Sequence, residues 1–345
     1  MLANRILYAS VGLLLFATCP ASAQDAVAQF YKGKTVTVVI GSAPGGGYDT
    51  YGRLLARFLG RHLPGQPTVV PKNMPGASSY LAANYICGIA PKDGTYIAAV
   101  TAGALLQPLF GINAQSSFDP TKLNYVGSAN KDYYVCLIRR DAAAKTFKDL
   151  LTHQVTVAAA ADGGSTRDFP TMLNLLGTKF KVVSGYAGNK EGTLALERGE
   201  VEGVCGNSWS GILAMHPEWF GTSGLVRVLV QEDMVGHPDL NKQGIPLAVD
   251  FAITAEQRQI MELIYEESTL GRPYIMPPGV PPERIAALQT AFMDTFRDPD
   301  LVAEARKINL DVGPISGEAL QALMTKMFST PPDLIQKARQ ALVSK

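Results

Sequence analysis

The sequence predicts an α/β protein of two mostly parallel sheets flanked by helices, with a cleft between them. Three observations carry that expectation. Residues 36–40 are an apolar β-branched run, followed by a glycine-dense turn at 43–49 and then a helical stretch. That stretch puts Leu54, Leu55, Phe58 and Leu59 on one face and Arg53, Arg57 and Arg61 off it. The same order returns at 155–160 (strand), 161–167 (the turn ADGGSTR) and 168–176 (helix). The glycine turns near 45 and 163 are chemically similar and lie in different α/β units, so two of them facing each other would make a cleft.

Each element has its own local reason. Residues 72–79 (KNMPGASS) read as a turn leading into a helix at 80–89, with Ser78 or Ser79 as its cap. Pro91-Lys92-Asp93-Gly94 is a turn before a strand at 95–100, and Thr101, Ala102 and Gly103 sit at that strand's carboxyl end. Residues 125–128 and 133–139 are short strand-like runs. Further strands fall at 181–184, 201–205 and 225–231, with a helix at 190–198. Residues 237–250 look loop-like, and Thr254 opens a helix with a capping box to Gln257. Residues 272–276 form a strand ended by Pro277-Pro278, and Pro281-Pro282 start the next helix. The remainder is helical, with breaks at 298–299, 313–314 and 331–332.

Composition bounds the function. The 345 residues carry 31 Lys+Arg against 30 Asp+Glu, and no basic cluster is interleaved with aromatics, which argues against nucleic acid as a partner. Arg5, the apolar run 6–17 and Ala21-Ser22-Ala23 fit a secretory signal at 1–23, cut after Ala23, and imply export from the cytoplasm. Three cysteines then remain. In an oxidising compartment Cys136 and Cys205, both on strand-like segments of one domain, are the favoured pair, with Cys87 left over; the alternative is three buried thiols. His62, His153, His216 and His237 show no ligand spacing, so no metal and no cofactor is expected.

The first glycine turn supplies the chemistry. A strand, a tight turn and a helix start place free backbone N–H groups at a strand's carboxyl end, which suits a small anion. GGGYD matches neither a P-loop nor a dinucleotide fingerprint, and a plain packing turn is the competing reading. Asp49 is placed to cap the helix and to pair with Arg53.

Several stretches together resemble one family: residues 36–49 (VTVVIGSAPGGGYD), 73–79 (NMPGASS), 90–99 (APKDGTYIAA), 183–203 and 272–288 (RPYIMPPGVPPERIAAL). They are similar to the extracytoplasmic solute receptors of tripartite tricarboxylate transporters, the TctC or Bug family. The resemblance implies a bilobal type II periplasmic binding protein fold whose chain crosses twice between lobes. It implies hinge closure on a small carboxylate and delivery to a permease of one large and one small membrane subunit. The lobes are expected at 24–130 with 232–345, and at 131–231, in a monomer. Tyr48 is bulkier than the family's usual residue. Ser78-Ser79-Tyr80 and Gly185-Tyr186-Ala187-Gly188 also depart from its loops.

The expected site draws on both lobes. The first offers Gly46, Gly47, Tyr48 and Asp49, the hydroxyls of Ser78 and Ser79, and Thr101 with Ala102. The second offers Gly164, Ser165, Thr166, Tyr186 and Asn207. Arg167 is either a counter-ion or solvated, and Tyr48, Tyr186 and Trp209 are either cleft walls or core. A carboxylate gains about 1.5–3 kcal/mol from each charge-assisted hydrogen bond, and micromolar binding needs about 8 kcal/mol, so neutral donors suffice. Two other functions fit the sequence. Residues 206–211 (GNSWSG) come within one residue of a nucleophile elbow, so a secreted serine hydrolase using Ser208, with Asp239 and His216 or His237, can be written. The same lobes would also serve a carboxylate sensor for a membrane signalling partner.

Overall fold

A computed structural model describes residues 21–111, 116–160 and 164–343. Most of the signal-like segment and residues 161–163 of the second glycine turn lie outside them. The described chain begins with α1 (Ala21–Tyr31), then β1 (Thr35–Ile40), α2 (Gly47–His62), β2 (Thr68–Asn73), α3 (Tyr80–Gly88), β3 (Tyr96–Ala99), α4 (Ala102–Phe110) and β4 (Asn124–Ser128). A second run holds β5 (Tyr134–Arg139), β6 (Val155–Ala160), α5 (Ser165–Leu173), β7 (Phe180–Tyr186), α6 (Asn189–Glu197), β8 (Gly203–Ser208), α7 (Trp209–Met215), β9 (Val226–Glu232) and α8 (Pro238–Lys242). The long α9 (Ala255–Leu270) leads back to β10 (Pro273–Met276), α10 (Pro282–Arg297), α11 (Pro299–Lys307), β11 (Ile315–Ser316), α12 (Gly317–Phe328) and α13 (Pro332–Val343).

The strands form two sheets, ordered β11-β4-β10-β3-β1-β2 and β7-β6-β8-β5-β9. Each holds a parallel trio, β1–β3 and β6–β8, but neither sheet is purely parallel. The antiparallel strand at the heart of each is the one that arrives from the other sheet. β5 enters beside the carboxyl end of β8, pairing Tyr134 with Ser208, and β10 enters beside that of β3, pairing Tyr274 with Ala99. Strands followed by a crossover helix end at the cleft; a strand that has just crossed starts there and must run the other way. The chain crosses at 129–133 and returns along α9 to 271–272. The two crossings touch: Ala129 N–H donates to Arg272 O, and Asp132 N–H to Ser268 O. Gly271, at φ +55°, has no room for a side chain, because a Cβ there would lie 1.9 Å from Asn130 O.

Several elements differ from the sequence reading. β2 falls in a stretch read partly as a turn. It pairs Pro71 with Val38 at the sheet edge, where a missing N–H is tolerated. Thr101–Gly103 opens α4 rather than a bare turn. Residues 238–251, grouped by sequence with the first lobe, pack on the second sheet. Leu240 joins the cluster of Val135 and Trp219, Gln231 bridges to Leu247, and Phe251 stacks on Phe147 at 4.0 Å. The capping box of Thr254 and Gln257 forms.

One hydrophobic cluster runs through both lobes, from Val39 and Leu105 to Phe169 and Tyr265. Two others, around Leu54 and Phe292 and around Leu196 and Trp219, fill the outer faces of the two sheets. Cys136 on β5 and Cys205 on β8 are joined as a disulfide, and Cys87 is free. In a chain beginning at Gln24, alkylation in denaturant without reductant should therefore add one label, rising to three after reduction. Intact-mass measurement decides this, and three labels without reductant would refute the bridge.

Candidate functional site

Helix N-termini from both lobes meet where the sheets end. α2 starts at Gly47 with Gly46 as N-cap, and no side chain caps its first N–H groups. Asp49 does not cap them; it reaches back to Gly45 N–H at 2.8 Å, pairs with Arg53 at 2.9 Å and accepts from Asn73 at 2.7 Å. Burial raises its pKa, but Arg53, Gly45 N–H and Asn73 together outweigh this and hold the carboxyl below its ordinary range.

Ala77, Ser78 and Ser79 are three successive residues at positive φ, a costly conformation for side-chain-bearing residues. It is held by hydrogen bonds. Ser79 Oγ donates to Gly41 O and accepts from Thr101 N–H, and Thr101 Oγ1 donates to Ser78 O. Ser79 is therefore a tie between the loops after β1 and β3 and caps nothing, although it occupies the N-cap position of α3. The half-buried Ser78 hydroxyl has no partner among the described residues. Ala102 N–H donates to the Tyr48 hydroxyl at 3.4 Å, and that hydroxyl donates to Gly271 O at 3.1 Å.

The second lobe answers with α5, whose N-cap is Gly164. A Cβ placed on Gly103, in the first turn of α4, would sit 3.6 Å from Gly164 Cα and 3.5 Å from Glu267 Oε1. The loop that meets the α5 start across the lobes is thus the one after β3, at the head of α4, and not the 43–49 turn that the sequence offers as its opposite number. Ser165 Oγ donates to Gly206 O, and Thr166 Oγ1 accepts from Ala160 N–H, so both hydroxyls hold the loop. Arg167 is neither free nor fully solvated; it pairs with neighbouring Asp168 at 2.9 Å. Burial raises the Asp168 pKa, with Arg167 pulling the other way, and Gln107 of α4 approaches the same carboxyl from the first lobe at 3.5 Å.

The remaining expected residues divide. Asn207 is buried, and its amide donates to Cys205 O, leaving Oδ1 unpartnered. Trp209 is core rather than wall: its ring meets Phe220 edge-on at 4.9 Å and is 8% exposed. Tyr186 is half-buried at the end of β7 beside the same cluster. Tyr48 alone of the three aromatics stands at the junction.

Sequence reasoning missed the charged centre. Arg272, first residue of the segment RPYIMPP, is 2% exposed. Its Nη2 lies 3.2 Å from Asp132 Oδ2 and donates to Ser208 Oγ at 2.8 Å, and Ser208 Oγ donates in turn to Asp132. The guanidinium rests over the rings of Tyr51 at 4.4 Å and Tyr48 at 4.9 Å. Burial pulls its pKa down, but Asp132 with Tyr51, Tyr48 and Tyr134 together outweigh that, and the group stays charged. The available signal was an arginine opening an otherwise apolar strand. Glu267 and Glu232 were also missed. Burial pushes each up to about 8, Glu267 with help from Asp168 and Asp132, while Glu232 accepts from Gly206 N–H at 2.6 Å. Ser208 has no imidazole partner: His216 stacks on Trp219 and His237 packs edge-on to Tyr133. The hydrolase triad is not assembled.

No family model and no curated relative matches the chain. Solved structures do. The periplasmic binding protein BugD aligns with a TM-score of 0.69 at 20% identity, over 91% of this chain and 100% of that one. MatC from Rhodopseudomonas palustris, with bound malate, aligns at 0.68 and 20% identity over 88% and 99%. An R. palustris protein with adipate aligns at 0.67 and 18% identity over 89% and 97%. The chain therefore has the two-lobed fold of the Bug-type solute-binding proteins.

The buried acids make stability depend on pH. A glutamate whose folded pKa is raised to about 8 contributes most below its ordinary pKa of 4.5 and loses that contribution as pH rises through 8. Thermal melts should show Glu267→Gln gaining on the wild type between pH 5 and pH 8.5, by a few degrees. A constant difference across that range would show that Glu267 is not held neutral.

Proposed function

We propose that the protein is an extracytoplasmic solute-binding receptor that captures a small carboxylate between its lobes. The observation that carries this reading is the meeting of helix starts without side-chain caps: the first turn of α4 lies against the α5 N-cap Gly164, Tyr48 in the first turn of α2 accepts from Ala102 N–H at the head of α4, and Gly47 of α2 lies against a buried guanidinium. Partial positive charge at these termini favours an anion by about 0.3–1 kcal/mol each, more where water is excluded. Neutral Glu267 adds no opposing charge below pH 8.

Support also comes from structures of the same fold that hold malate and adipate. Closure is favoured because a ligand touches both lobes only when they are shut. In this reading the chain is exported to the periplasm by its N-terminal segment, works as a monomer, and hands its ligand to the large and small subunits of a tripartite tricarboxylate-type permease.

A thermal-shift screen of acetate, malate, adipate, citrate, benzoate and phthalate tests the reading. Binding to the native state must raise the melting temperature, by an amount corresponding to about 2.7 kcal/mol at a hundredfold excess over Kd. Small-angle scattering with the strongest hit should then show a smaller radius of gyration if the free protein is open. No stabilisation by any acid would sink the receptor reading.

A further inference from the structure

We propose that Arg272 is the ligand's counter-ion, so that a carboxylate accepts from its Nη1 and from the adjoining main-chain N–H groups in the first turn of α2. This rests on the receptor reading and deepens it, because that reading by itself needs only neutral donors.

The argument is an accounting of donors. A guanidinium has five N–H groups. Nη2 donates to Ser208 and lies in ion-pair range of Asp132. Nε is buried without a partner, and Nη1 has no acceptor among the described residues. The guanidinium lies against the start of α2: a Cβ on Gly47 would be 3.1 Å from Nη1 and 3.5 Å from Cζ and Nη2. Gly47 thus leaves open the approach of the guanidinium to the helix end.

That helix end is itself an anion site without an anion from this chain. α2 is 16 residues long and has no side-chain cap. Asp49, the one acid in its first turn, is spent on Gly45, Asn73 and Arg53. Two positive features therefore face each other, and Asp132 matches only one of them. A carboxylate that accepts from Nη1 with one oxygen and from a main-chain N–H of the first turn of α2 with the other satisfies both. Tyr48 and Tyr51 hold the guanidinium plane from the side, a restraint that suits a planar fork rather than a lysine point charge. Ser208 belongs to the second lobe, so the arginine is fully positioned only when the lobes are together.

The test pairs each acid of the screen with its carboxamide, in calorimetric titrations. The wild type should prefer the acid by about tenfold or more. Arg272→Gln combined with Asp132→Asn removes both buried charges, leaving neither unpaired. It should lower acid affinity at least about tenfold and leave amide affinity within about threefold. Gly47→Ala keeps every charge and a helical backbone but intrudes on Nη1, and it should weaken the acid selectively even if the double variant fails to fold. Acid binding and preference unchanged in Gly47→Ala or in a folded double variant would overturn the assignment while leaving the receptor reading intact. A wild type that binds none of the acids would overturn both.

Discussion

A guanidinium buried between two lobes has to be matched, and the way Arg272 is matched organises the junction. Moving an ion out of water costs several kcal/mol even after relaxation, and removing one partner of a buried pair strands the other. Asp132 supplies the opposite charge from the first crossing segment, and Ser208 supplies an oxygen from the second lobe. Tyr51 and Tyr48 supply ring faces from the first. Gly47 and Gly211 keep side chains away from Nη1 and Nη2. One charged group thereby ties together both lobes and a crossing segment. These contacts favour the closed arrangement of the lobes.

The hydroxyl groups at the cleft have a different task from the one their position suggests. Ser79, Thr101 and Ser165 each donate to a main-chain carbonyl of a neighbouring loop. Buried carbonyls at strand ends need donors, and a short hydroxyl side chain is the nearest one. The three left-handed residues at 77–79 persist because these bonds over-determine them. What these bonds leave without a partner is main-chain N–H at the helix starts, the Ser78 hydroxyl and part of the arginine's donor set. The acids around them are kept from opposing an anion in two ways: Asp49, Asp132 and Asp168 are paired with arginines, and Glu267 is neutralised by burial.

The topology explains why these groups meet at all. Helix-followed strands of both sheets end toward the cleft, so their turns are delivered there in register with the sheet. The crossing strands start at the same place and run away from it, which brings Asp132 and Arg272, each just ahead of its strand, to the floor of the junction. α9 then carries Glu267 against the first turn of α4, which also meets the N-cap of α5.

Local pattern alone determined the α/β class, most strands, the Thr254 capping box and the glycine turn ahead of α2, because β-branched runs, amphipathic spacing and turn residues act over a few positions; of the second turn, 161–163 lie outside the described residues and Ser165–Arg167 belong to α5. It also singled out Cys136 and Cys205 as a pair, since both lie on strand-like segments. The edge strand β2 was obscured by Pro71, and α4 by the small residues of its first turn. What only the tertiary structure decided was the charge at the junction. The one local hint at Arg272 is its place at the head of an apolar strand, and its partners lie far off in the chain, at 47–51, 132 and 208. Burial, pairing and the raised pKa of Glu267 are properties of groups brought together by folding, and they have no signature in the order of the chain.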